Sequence, residues 1–74
     1  MINTATRLVQ ILEIAGFEEK DFNQKPFMVK YENVNGRSVT LFEKEYKVKG
    51  VPTPIPYPDS EKILSIQLAN FGIV

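Results

Sequence analysis

Residues 27–41 read Phe27-Met28-Val29-Lys30-Tyr31-Glu32-Asn33-Val34-Asn35-Gly36-Arg37-Ser38-Val39-Thr40-Leu41, two alternating apolar runs joined through an asparagine–glycine step. Such a step between alternating runs is the strongest short-range signal for a β-hairpin. Two loop geometries compete for it. A two-residue loop on Asn35 and Gly36 sets Tyr31 opposite Thr40 and Val29 opposite Phe42, which sends Val39 and Leu41 to the face of Lys30 and Glu32. A three-residue loop, a type I turn closed by a glycine bulge, sets Tyr31 opposite Val39, Val29 opposite Leu41 and Phe27 opposite Glu43. Phe27, Val29, Tyr31, Val39 and Leu41 then share one face, and Met28, Lys30, Glu32, Ser38 and Thr40 the other. Asn33 opening the turn, Asn35 at its third position and Gly36 at the left-handed position are the residues such a turn favours. A one-residue slip would expose five apolar side chains, so burial selects the bulged hairpin.

Working outward, the chain of 74 residues has room for one domain, 1–74, whether complete or the N-terminal part of something longer. A chain of this size buries about 60–65% of its unfolded surface, and its core supplies roughly 3–5 kcal/mol net. It has no cysteine and no histidine. Disulfides, thiolate metal sites, cysteine nucleophiles and the commonest general base are therefore excluded as staples or catalysts. A stabilising partner, either another protein or a second copy in a homo-oligomer, is the natural expectation.

Formal charge is zero but unevenly spread: residues 1–24 carry −2, residues 25–49 carry +3 and the remainder −1. The basic stretch makes Arg37, Lys44, Lys47 and Lys49 the candidates for contact with a polyanion. Overall neutrality argues against a dedicated nucleic-acid binder, and Phe27 and Tyr31 face the expected core where they cannot stack on bases. No basic region followed by an apolar run opens the chain, and no apolar run approaches the ~20 residues that span a bilayer. A soluble cytoplasmic protein without membrane contact is the expectation.

Before the hairpin, residues 4–15 read as a helix, with Asn3 or Thr4 as cap and Gly16 as a left-handed stop. Ala5, Leu8, Val9, Leu12 and Ala15 fall on one face, with Ile11 and Ile14 widening it. Phe17 is placed to fold back on the last turn. Residues 18–26 read as a polar, solvated turn pinned by Phe22, and Pro26 as the start of the strand. Glu18, Glu19 and Asp21 raise a metal hypothesis, but their spacing lacks the calcium-loop pattern and its turn glycine.

After the hairpin, Leu41 and Phe42 break the alternation, and a tight turn or bulge near residues 42–44 restores it. Residues 45–49 then form a further strand whose charged odd positions suit an exposed edge. In residues 51–58, Val51-Pro52-Thr53-Pro54-Ile55-Pro56-Tyr57-Pro58, prolines at every second position block helix and remove hydrogen-bond donors, so the segment is an extended strap, expected to lie across its own domain, with docking into a partner's aromatic groove as the alternative. Residues 60–71 carry signals for two structures. Asp59 or Ser60, Glu61 and Gly72 bracket a helix with Ile63, Leu64, Leu68 and Phe71 on one face, while residues 64–68 alternate as a strand would. Composition favours the helix.

The fold class expected is α+β: an N-terminal helix on a small antiparallel sheet made of the hairpin (27–42) and the strand (45–49), then the strap and a C-terminal helix. No serine has a partner base, no two carboxylates suggest a hydrolytic pair, and no glycine-rich loop exists to hold a phosphate. The sequence therefore points to no enzyme and no cofactor. It suggests a non-catalytic protein-interaction module, such as a small accessory or inhibitor protein, with Val51, Ile55, Tyr57, Phe71 and Ile73 as the partner-binding residues. The alternatives are a structural subunit of a larger viral or phage assembly and nucleic-acid binding through the basic hairpin.

Overall fold

The computed structural model describes residues 4–74. Within them the chain runs α1 (Thr4–Ile14), β1 (Glu18–Asn23), β2 (Met28–Glu32), β3 (Ser38–Phe42), β4 (Glu45–Val48), β5 (Ile55–Pro56) and α2 (Glu61–Asn70). The α+β architecture is as expected. The strands form one antiparallel meander in the order β1-β2-β3-β4-β5.

The central hairpin adopts the bulged register, with Tyr31 opposite Val39 and Val29 opposite Leu41. In its loop the Asn33 amide donates to the Arg37 carbonyl at 3.0 Å and the Gly36 amide to the Asn33 carbonyl at 3.1 Å. Gly36 has φ +83°, a left-handed conformation that a Cβ would oppose. The Asn33 side chain accepts from the Asn35 and Arg37 amides at 3.1 and 2.9 Å, which closes the turn from inside.

This register assembles the core. A row of side chains crosses all five strands, from Phe22 through Val29, Leu41 and Tyr46 to Ile55. Next to it lie Tyr31, Val39 and Val48. Leu8 and Leu12 of α1 and Leu64 and Leu68 of α2 cover these rows and are fully buried. Each such side chain contributes about 1.5–3 kcal/mol of transfer free energy.

Both helices end in the same way. The Phe17 amide donates to the Leu12 carbonyl at 2.8 Å and the Gly16 amide to that of Glu13 at 3.1 Å; the Ile73 amide donates to Leu68 at 2.9 Å and the Gly72 amide to Ala69 at 3.0 Å. These paired bonds define Schellman motifs, in which the residue after the glycine packs on the last turn. Phe17 and Ile73 are accordingly buried in the core. Helix won over strand for residues 60–71 because both ends are capped: the Ser60 hydroxyl accepts from the Lys62 and Ile63 amides.

Several expectations need correction. Residues 18–23 are a strand rather than a solvated turn, pairing with β2 from Glu18 opposite Glu32 to Asn23 opposite Met28. Every residue of this strand is exposed, so burial never imposes the alternation by which a strand is recognised. The strand is bulged at Lys20, where the register shifts between Glu19 and Asp21. A turn containing a cis Lys25–Pro26 bond follows it, so Phe27 lies before β2 and is 39% exposed. Ala15 and Ile63, placed on buried helix faces by their spacing, are exposed, because the first lies at a helix end and the second at the flank of the stripe. The strand β4 is not a free edge: β5 pairs with Glu45 and Tyr46. The proposed cap Asn3 lies outside the described residues. No described helix is long and apolar enough to cross a membrane.

Candidate functional site

The strap and the C-terminal tail, where the sequence placed partner contacts, are engaged within the domain. Val51, Ile55, Tyr57 and Phe71 are half-buried against the core, and Ile73 belongs to it with 7% of its surface exposed. Tyr57 explains the docking of the strap. Its ring stacks on that of Tyr46 with centroids 5.8 Å apart and planes at 22°. Its hydroxyl donates to the Phe42 carbonyl at 2.7 Å and its amide to the Lys44 carbonyl at 3.3 Å. Thr4 of α1 ties the strap's end by donating to the Pro58 carbonyl at 2.9 Å. Tyr46 in turn donates to Gln67 of α2 at 2.7 Å. Burial pushes the Tyr46 phenol up to about 12. Burial also raises the Tyr57 phenol well above its ordinary value, helped by its neighbours Tyr46 and Glu45.

The basic residues are scattered. The Arg37 guanidinium donates through Nη1 to the Phe71 and Gly72 carbonyls at 3.2 and 2.9 Å, at the C-terminal end of α2. A cation there satisfies carbonyls that the helix leaves unpaired and opposes the negative end of its dipole. Lys49 donates to the Gly36 carbonyl at 3.2 Å. Lys44 stands in the turn between β3 and β4, at the other end of the sheet, and Lys47 is exposed opposite Thr40 on the face away from the helices. The fold brings Arg37 and Lys49 to the hairpin tip but does not gather the four into one patch.

The fold creates instead a concave apolar surface that the sequence did not suggest. Because β1 is exposed throughout, no helix covers the inward face of that strand. Between α1 and the β2–β3 hairpin lies a groove of about 280 Å³ lined by Ala5, Thr6, Val9, Phe27, Val29, Leu41, Phe42 and Glu43. Phe27 meets Phe22 edge to face, with ring centroids 6.0 Å apart and planes at 79°. Phe22, on the face shared with Val29, is 53% exposed, so the pair extends the groove's apolar wall outward onto β1.

Thr6 and Glu43 are the polar residues of the groove lining. Tyr31, two residues along β2 from Val29, lies outside that lining; burial chiefly, and then Glu19 and Glu13, raise its phenol above the ordinary value. The lysine of β1, Lys20, sits 3.8 Å from Glu18, and both are well exposed.

The signal for this site was present but ambiguous. Phe22 stood alone in a charged run, and Phe27 fitted the alternating face of the hairpin. Only the pairing of β1 with β2 brings the two rings together. No family model matches the chain, and no curated protein or solved structure shows significant similarity to it.

Proposed function

We propose that this protein acts by binding, without catalysis, and that it grips a protein partner in the groove between α1 and the β2–β3 hairpin, beside Phe22 of β1. The observation that carries this reading is the pair Phe22 and Phe27, solvent-exposed beside a concave apolar groove. Aromatic side chains around a pocket supply large contact area with little loss of conformational freedom, and they dominate binding energies at protein interfaces. Ile63 and Ile66 of α2 are also about half exposed, but neither lines the groove. Concavity favours the cleft.

The sheet edges support docking on the face rather than strand addition. Along β1 the edge carries charged side chains and a bulge, and along β5 it carries proline. Both are devices that discourage a further strand. Side chains, not backbone ladder groups, are then what a partner meets.

A photoreactive amino acid placed at Phe22 tests the reading in an extract of the source cells. The expected result is a saturable crosslink to a protein, competed by excess unmodified chain and lost when Phe27→Ser is added. Crosslinks no more frequent than those from the same group at Pro54, or substrate turnover by the purified chain, overturn it.

A further inference from the structure

We propose that Asn35, at the tip of the central hairpin, is a site of spontaneous covalent modification: it deamidates through a cyclic imide with Gly36, and the isoaspartate so formed loosens the hairpin. The reaction needs no partner and no groove. The Gly36 amide nitrogen gives its proton to solvent base and attacks Cγ of Asn35. An N–Cγ bond forms, the Cγ–Nδ2 bond breaks, and the leaving nitrogen takes up protons to depart as ammonia. Water then adds to one of the two carbonyl carbons of the ring that flank the nitrogen. Opening at Cγ restores the original main chain with an aspartate side chain. Opening at the Asn35 carbonyl carbon routes the main chain through Cβ and Cγ, which is isoaspartate. Water is the co-reactant throughout, and nothing is oxidised or reduced.

The hairpin tip singles out Asn35. Asn3, Asn23, Asn33 and Asn70 precede Thr4, Gln24, Val34 and Phe71, whose side chains crowd the attacking nitrogen; Asn35 precedes glycine. Asn35 is exposed, and its carboxamide makes no hydrogen bond among the described residues. The Asn33 carboxamide, by contrast, accepts from two amides, and that of Asn23 donates to the Pro26 carbonyl at 2.9 Å. Beyond the residues adjoining Gly36, the space where a Cβ would stand has no heavy atom within 4 Å, so the tetrahedral intermediate has room. One contact opposes the reaction: the Gly36 amide donates to the Asn33 carbonyl at 3.1 Å. A hydrogen bond at a loop tip opens locally without unfolding the domain, so folding slows the attack without preventing it. The same turn explains the consequence. The Asn35 and Arg37 amides converge on the Asn33 side-chain oxygen at 3.1 and 2.9 Å. An extra main-chain carbon between Asn35 and Gly36 spreads those two amides apart, in the turn that fixes the register of β2 on β3.

Incubation of the full chain in mildly alkaline buffer, followed by peptide mapping with mass spectrometry and an isoaspartate assay, tests this. Asn35 is expected to show the amide-to-acid mass change ahead of every other asparagine, by roughly tenfold or more in rate, with isoaspartate among its products. The chain unfolded in guanidinium should convert at the same position, faster. Asn35→Gln, whose longer side chain closes only a larger and slower-forming ring, should abolish the change there. The isoaspartate form, isolated chromatographically, should unfold at a lower urea midpoint than the parent, whereas freshly prepared Asn35→Asp should unfold at the parent midpoint. An Asn35 still intact in the folded chain when the unfolded chain has fully converted overturns the proposal, as does equal conversion at another asparagine. An isoaspartate form with the parent midpoint, or an Asn35→Asp variant as weakened as that form, overturns the loosening of the hairpin by its altered main chain.

Discussion

The two edges of the sheet are protected in different ways, and the difference separates the part of the molecule that holds itself together from the part left open. At the β5 edge, prolines limit further pairing and two tyrosines lock the strap down by stacking and by hydroxyl bonds to the Phe42 carbonyl and to Gln67. At the β1 edge, charge and a bulge do the blocking, and the inward side of the strand carries an exposed Phe22 with no helix above it. Apolar side chains on the first edge are consumed by folding. Those on the second remain available. A small domain with a core of this size has little stability to spare, so aromatic surface left uncovered beside a groove calls for a binding explanation.

The contrast is broken most severely by Tyr46→Ala. Removing a fully buried aromatic side chain costs about 3–5 kcal/mol, which rivals the whole stability of such a domain. The variant should lose its cooperative urea transition and its near-ultraviolet dichroism; a transition retained near the parent midpoint would deny the locked edge its role. Tyr57→Phe is milder. It keeps the stack and deletes the hydroxyl, leaving the Phe42 carbonyl short of a donor, and should cost about 1–2 kcal/mol in urea unfolding.

Alkaline pH probes the same edge by another route. Tyr46 ionises at about 12 in the folded protein against 10.0 for a free phenol. Within that window the unfolded chain has released a proton that the folded chain retains, so stability is complete below about pH 10 and declines as pH rises towards about 12. The decline should be shallower in Tyr46→Phe than in the parent. The smallest effect sharpens the contrast from the other side. Phe22→Ser should change stability by less than about 0.5 kcal/mol, as exposed positions do, while abolishing the partner crosslink from the same photoreactive group moved to Thr6. A large loss of stability would mean that Phe22 belongs to the core after all.

Legibility in the sequence followed burial. The hairpin was readable because Val29, Tyr31, Val39 and Leu41 are all buried, and only one register buries them together. The helix ends were readable because Gly16 and Gly72 occupy left-handed positions, at φ +90° and +75°. Strand β1 was not readable, since a fully exposed strand carries no alternation and its charged residues resemble a turn. The strap was identified as extended, but its prolines said nothing of whether it would face its own domain or a neighbour. That was decided by Tyr57 finding both the Tyr46 ring and the Phe42 carbonyl.

By itself the sequence determined the hairpin register, the extended strap, the first helix with its glycine stop and the absence of histidine and cysteine chemistry, and it left residues 60–71 between helix and strand. Each of these is set by local backbone preference, periodic burial or composition, which neighbouring residues specify without reference to distant ones. Tertiary structure alone decided that residues 18–23 join the sheet, that the strap docks inward, and that Phe22 and Phe27 meet beside an open groove. Those outcomes depend on pairings between separate elements, β1 with β2 and the strap with β4, whose free energy appears only when both partners are in place.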